Sequence, residues 1–270
     1  MQTKSIPYAI AILCLVANAA FAQTKAAEPE PDYTAAFNVG VVSDYRYRGI
    51  TQTRYRPALQ AGFDFTHKSG FYAGTALSNI KWISDYSTTA NNVKGDVELD
   101  LYGGYKGSIT KDLAYDVGLI QYAYLGNTLS NTGGGNVYAN ANTTEIYGAL
   151  TYSVFTVKYS HAVSRLLGIF GSRGAGYLEA AANFDLGNGW SIAPHLGFQK
   201  VGKTANTIYG NDQLSYTDYS MGVSKDFSNG LVLTGSVVGT NASDKFWTSS
   251  ADNNKFLGKA GVVLGAKYTF

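Results

Sequence analysis

Hydrophobic and polar positions alternate along most of this chain, most sharply at its end. Between 259 and 270, Ala260, Val262, Leu264, Ala266, Tyr268 and Phe270 fall on one face of an extended strand. Gly261, Gly265, Lys267 and Thr269 fall on the other, with Val263 the one exception. A period of two sets an apolar surround against a polar one. Similar segments recur at 37–48, 58–66, 71–80, 96–106, 113–125, 144–152, 155–163, 177–186, 190–199, 216–227 and 231–241. The expected fold is all-β: a transmembrane antiparallel up-and-down β-barrel of about 12 strands, an even number as in bacterial single-chain barrels.

The connections agree. Tight ones at 67–70, 107–112, 153–154, 187–189 and 228–230 alternate with longer ones at 49–57, 81–95, 126–143, 164–176, 200–215 and 242–258. This is the pattern of periplasmic turns and extracellular loops, with both termini periplasmic. The faces follow: Leu59, Ala61, Phe63 and Phe65 point to lipid, and Gln60, Gly62, Asp64 and Thr66 inward. Val97, Leu99 and Leu101 face lipid, opposite Asp96, Glu98, Asp100 and Tyr102. Pro194 removes a ladder bond from its strand and is expected to mark a bulge. Tyr115, Trp190 and Tyr268 suit an aromatic girdle at the periplasmic side.

The N-terminus reads as export. Lys4 precedes an apolar stretch at 9–16, and Ala20-Phe21-Ala22 fits a small-x-small cleavage site, so 1–22 is a secretory signal. Ile12 and Leu13 before Cys14 do not fit a lipoprotein site. Residues 23–32 form a periplasmic lead-in and 33–270 the barrel. The mature chain lacks cysteine, which excludes disulfides and Cys-metal sites. Only 15% of residues are charged, against 21 Tyr and 31 Gly. No later segment approaches the roughly 20 apolar residues of a membrane helix, so a closed barrel is the one way across a bilayer.

Charge sorted by position gives the functional expectation. Asp44, Asp64, Asp96, Glu98, Asp100, Asp116, Glu145, Glu179, Asp185 and Asp218 are placed in the lumen, against Arg46, Arg48, Lys106, Lys158, Lys259 and Lys267. The lumen is then acidic by about four and the outer loops basic by about six. The charges either pair across strands and fill the interior or line water and bias which ions enter. Basic loops also suit the anionic head groups of outer-membrane lipids and lipopolysaccharide.

Chemistry is weakly signalled. Glu98 and Asp100 share a face and could act as an acid-base pair or bind a cation, but a lumen wall explains them with fewer assumptions. Gly133-Gly134-Gly135 lacks the Lys-Ser/Thr of a phosphate loop. No catalytic residue, cofactor or metal centre is expected, and export argues against a nucleic-acid partner.

Ser43-Asp44-Tyr45-Arg46-Tyr47-Arg48-Gly49-Ile50-Thr51-Gln52 resembles the TorF-type outer-membrane porin family. The likeness continues through Pro57-Ala58-Leu59-Gln60, Gly62-Phe63-Asp64, Ser69-Gly70-Phe71-Tyr72-Ala73-Gly74, Gly95-Asp96 to Gly103-Gly104-Tyr105, and the last strand. It implies a porin in the outer membrane of a Gram-negative bacterium and names no solute. The end at Tyr268 and Phe270 resembles the C-terminal assembly signal of such barrels, which implies the barrel assembly machinery as a partner. The expectation is a monomer passing small hydrophilic solutes or ions through a narrow, mildly acidic lumen. Two alternatives stand beside it. One is a non-conducting structural or adhesion barrel. The other is a lipid hydrolase, since His67-Lys68-Ser69 with Asn79 is similar in residue types to twelve-stranded outer-membrane phospholipases. The predicted turn places that pair at the wrong rim for outer-leaflet lipid.

Overall fold

The computed structural model describes residues 31–132, 138–202, 211–249, 251 and 254–270. The signal, most of the lead-in and Gly133-Gly134-Gly135 lie outside the described residues. Twelve spanning strands form one antiparallel barrel: β1 Tyr33–Val42, β2 Ala58–His67, β3 Phe71–Asn79, β4 Val97–Ser108, β5 Leu113–Tyr124 and β6 Thr143–Tyr152. Then come β7 Phe155–Ala162, β8 in two pieces (Gly176–Ala182 and Phe184–Gly187), β9 Trp190–Lys200, β10 Tyr216–Asp226, β11 Leu231–Thr240 and β12 Gly261–Thr269. Each strand pairs with its neighbours in sequence, and β12 returns to β1 with Asn38 opposite Thr269. Closure leaves no unpaired edge, the condition for crossing a bilayer with strands.

The sidedness follows the alternation. Leu59, Val117, Leu150, Val157, Leu196, Met221, Val262 and Leu264 are all exposed on the outside. At the end carrying the short turns, rings pack in pairs: Tyr33 with Phe65, Phe71 with Tyr105, Tyr105 with Tyr115, Phe155 with Phe184 and Tyr268 with Phe270. The ladder of β8 with β9 is interrupted between Ala182 and Phe184, opposite Ala193 and Pro194. The proline has no N–H for a ladder, so the irregularity expected there shows as a break in the partner strand.

The first strand departs from expectation. It ends at Val42 rather than near 48; the Ser43 N–H still donates to the Leu264 carbonyl (2.8 Å), and residues 44–53 leave the wall and fold into the lumen. There Arg46–Tyr47 pairs with Ile50–Thr51 as a separate two-stranded ribbon. Arg48 and Gly49 at its tip both have positive φ (46° and 80°), as a two-residue hairpin turn of the primed type requires. A Cβ on Gly49 would meet Thr240 Cγ2 at 2.4 Å and Asp218 Cβ at 2.8 Å, so the tip lies against β10 and β11. Period two thus reported extended backbone correctly. It could not report which sheet the segment joins.

The main apolar core lies inside the long-loop end. Tyr45, Tyr47 and Ile50 of the hairpin pack there with Ile80, Ile83 and Val93, Leu129, Leu166 and Ile169, Val201 and Leu214, and Phe246 and Trp247. Every long connection contributes to this cap.

Candidate functional site in the barrel lumen

The hairpin is held by its own polar network. Asp44, almost fully buried, accepts hydrogen bonds from Thr51, from Thr53 Oγ1 (3.2 Å) and from Arg46, which also donates to the Gly49 and Lys259 carbonyls at 2.8 and 3.0 Å. Outer links fix it to the loops: the Thr51 N–H donates to the Leu257 carbonyl, and the Lys81 N–H to that of Gln52 (3.0 and 2.7 Å). Arg48 crosses the lumen. It donates to Glu145 Oε2 of β6 and Gln199 Oε1 of β9, both at 2.6 Å, with its guanidinium 4.8 Å from the Tyr47 ring centre and 4.2 Å from that of Tyr177. Asp44, Arg46 and Arg48 are therefore inside the barrel, but on the closing element and not on the wall.

Below the hairpin, inward side chains of neighbouring and next-but-one strands bond one another. Glu179 bonds Lys158 and His195, each at 3.1 Å, and the Tyr177 hydroxyl donates to Asp218 at 3.0 Å. Tyr72 donates to Asp116 at 2.6 Å, while Tyr102 and Asn38 (3.5 Å) donate to Asp64. Lys106 lies 5.5 Å from the Tyr72 ring centre, and Lys158 5.0 Å from that of Tyr147. Gly197 is required by this packing, since a Cβ there would sit 1.9 Å from the Tyr177 hydroxyl. Toward the short-turn end, Asp64, Lys106, Asp116 and Lys267 are only partly buried, so water reaches them within the lumen.

Three charged residues lie elsewhere than expected. Asp96 precedes β4 at the long-loop rim, exposed, and bonds Lys81 (2.7 Å) and Ser84 (2.6 Å). It keeps the parity of Glu98 and Asp100, but the strand starts one residue too late to carry it. Lys259 is exposed ahead of β12 for the same reason. Asp185 is exposed at the short-turn mouth, where it accepts from the Gly187 N–H at 2.8 Å. The tyrosines Tyr45, Tyr47, Tyr72, Tyr122, Tyr124, Tyr147 and Tyr177, central to the lumen, went unrecognised when positions were sorted by charge. On the wall they stand in phase with the acids, as in Glu145-x-Tyr147 and Tyr177-x-Glu179, and that shared parity is the signal that marks them.

The cap carries its own polar link. Asp85, in the turn Ser84–Tyr86, is paired with Arg54 of the hairpin and accepts from Ser249 at 2.8 Å. Burial pushes its carboxyl above the usual range, outweighing the Ser249 hydrogen bond and Arg54. The folded cap then holds a proton that the unfolded chain has lost, so stability should fall as pH rises from the ordinary carboxylate value through the raised one. Asp85→Asn should flatten that slope in a pH series of thermal unfolding, and an unchanged slope would assign it to another group. Beside this link is a cleft between the hairpin and Trp82, Tyr138 and Trp247, with about 30 Å³ of free space. That suits one or two waters.

Asn79 is not brought together with His67 and Ser69. His67 Nδ1 bonds Ser69 Oγ at 2.7 Å within an exposed short turn. Asn79 ends β3 at the opposite rim, where its Oδ1 accepts from the Leu59 N–H.

Two solved structures are similar over nearly their whole length. The KdgM porin has a TM-score of 0.52 at 8% identity, with 88% of this chain and 99% of that one covered. The NanC porin has a TM-score of 0.52 at 7% identity, with 87% and 99% covered. At such identity the likeness establishes the barrel fold. No curated protein matches the chain in sequence. A family model does match, over residues 26–270, and by it this chain belongs to the family described as a bacterial protein of unknown function, Gcw_chp.

Proposed function

We propose that the protein is an outer-membrane porin of a Gram-negative bacterium, passing small hydrophilic solutes or ions through a narrow, mildly acidic lumen that the hairpin keeps closed at rest. One observation carries the reading: a charged lumen holds, at its long-loop end, a ribbon that belongs to no wall ladder. An element outside the barrel sheet can move without breaking closure. Asp64, Glu98, Asp100, Asp116, Glu145, Glu179 and Asp218 outnumber Arg48, Lys106, Lys158 and Lys267, which favours cations. The resemblance to TorF-type porins points the same way. On this reading the chain works as a monomer, its partners being outer-membrane lipids, lipopolysaccharide and, during biogenesis, the barrel assembly machinery.

A second reading, a permanently sealed structural barrel, is favoured by the many hydrogen bonds that fix the hairpin. Single-channel recording of refolded protein under a salt gradient separates the two. Brief openings with a modest cation preference are expected, and Asp64→Asn with Asp116→Asn should move the reversal potential toward anions. Openings that prefer anions would contradict the acidic-lumen reading.

A further inference from the structure

Two carboxylates in the upper lumen have no counter-charge. Glu98 and Asp100 of β4 are 2% and 3% exposed, and neither takes part in an ion pair among the described residues. Two cationic side chains of the lumen are engaged elsewhere, Arg48 by Glu145 and Lys158 by Glu179. Glu98 accepts a hydrogen bond from Tyr45 of the hairpin and has the Tyr124 hydroxyl beside it, while Asp100 Oδ1 is buried without a partner among the described residues. Leaving two charges so placed is costly.

The surroundings are oxygen-rich. In the ladder of β4 with β5, Tyr124 stands opposite Glu98 and Tyr122 opposite Asp100, all four on the inward face. The Tyr124 hydroxyl is itself buried, points at the Glu98 carboxylate and is within electrostatic range of Asp100. Tyr47, packed edge-on against Tyr122 at 5.5 Å between ring centres, brings another buried hydroxyl with no partner. Glu98 and Asp100 are two residues apart on one strand, a separation of about 7 Å that two flexible carboxylates can close around one ion.

We propose that Glu98 and Asp100, with the tyrosine hydroxyls beside them, bind one hard divalent cation at the seam between the barrel wall and the hairpin. Two negative charges match a divalent ion, and the donors are all oxygens, as calcium prefers. Calcium takes roughly six to eight oxygen ligands in flexible geometry, and water completes a set that protein leaves short. Because Tyr45 and Tyr47 come from the hairpin, the ion ties the hairpin to the wall. The site does not depend on whether the barrel conducts.

The test uses the full mature chain refolded in a zwitterionic detergent free of lipopolysaccharide, with calcium chloride as the probe. Calcium should raise the unfolding temperature by several degrees over chelator-treated protein, and isothermal titration should give one site per chain. Sodium at matched ionic strength should not reproduce the shift. Glu98→Gln with Asp100→Asn should abolish both signals, and Asp96→Asn at the exposed rim should leave them intact. Should the double variant fail to fold, Tyr124→Phe, which removes only the hydroxyl, should lower calcium affinity several-fold. Wild-type protein that neither binds calcium nor shifts would overturn the site and leave the pair protonated. A calcium response kept in full by the double variant, or unchanged affinity in Tyr124→Phe, would overturn it equally.

Discussion

Replacing Arg48 by alanine should release the hairpin and open the barrel. Its guanidinium is the one group on the hairpin that reaches both β6 and β9, through Glu145 and Gln199, and both sides of the Arg48–Glu145 pair are almost wholly buried. Removing the arginine leaves Glu145 as an uncompensated buried charge, which costs about 3–5 kcal/mol. At a factor of ten per roughly 1.4 kcal/mol, that shifts the docking equilibrium by about a hundred- to several-thousand-fold. In bilayer recordings the rare openings of the wild type should become a sustained current. Arg48→Lys should not rescue closure, because an ammonium cannot bond two partners in a plane while lying between two rings. Adding Glu145→Gln should restore part of the closed state by removing the stranded charge. Excising 44–53 with a short glycine bridge should conduct steadily. If both the point variant and the excision stay silent, the hairpin is not what closes this barrel, and the sealed structural barrel becomes the better reading.

Deleting Phe270 should reduce folded protein in the membrane by roughly an order of magnitude, while the stability of protein refolded in vitro changes by only about 1–2 kcal/mol. In the finished barrel the residue does little. Its ring is 72% exposed, it meets Tyr268 edge-on at 5.0 Å, and its N–H donates to the Phe37 carbonyl at 2.8 Å. One backbone bond and one ring contact cannot explain a large loss of assembled protein. Such a loss would point to recognition of the chain end during biogenesis. Membrane fractionation combined with denaturant unfolding distinguishes the two effects. Normal membrane levels of the truncated chain would remove the argument for an assembly signal at Tyr268 and Phe270.

Most of the wall was legible because each face of a strand meets one kind of surround. Along β2, Leu59 faces outward and Gln60 and Asp64 inward as the alternation requires, and β4 orders Glu98, Leu99, Asp100 and Leu101 in the same way. The alternation of short and long connections gave the strand directions without any three-dimensional information, because loops and turns lie at opposite ends of an up-and-down barrel. Strand ends were the weak point. Asp96 and Lys259 have inward parity, but they fall beyond the ends of β4 and β12, where facing no longer implies a place in the lumen.

What the sequence determined by itself is the closed barrel and which residues of each strand face outward and inward. These depend on local patterning repeated at short range. Tertiary structure alone decided that 44–53 turns inward, that Arg48 reaches Glu145, which lies 97 residues on in the chain, and that Glu98 and Asp100 have no ion-pair partner among the described residues. The physical reason is that an alternating segment is equally satisfied by a wall with lipid on one side or by a ribbon surrounded on all sides. Only the shape of the lumen and the partners standing across it choose between them.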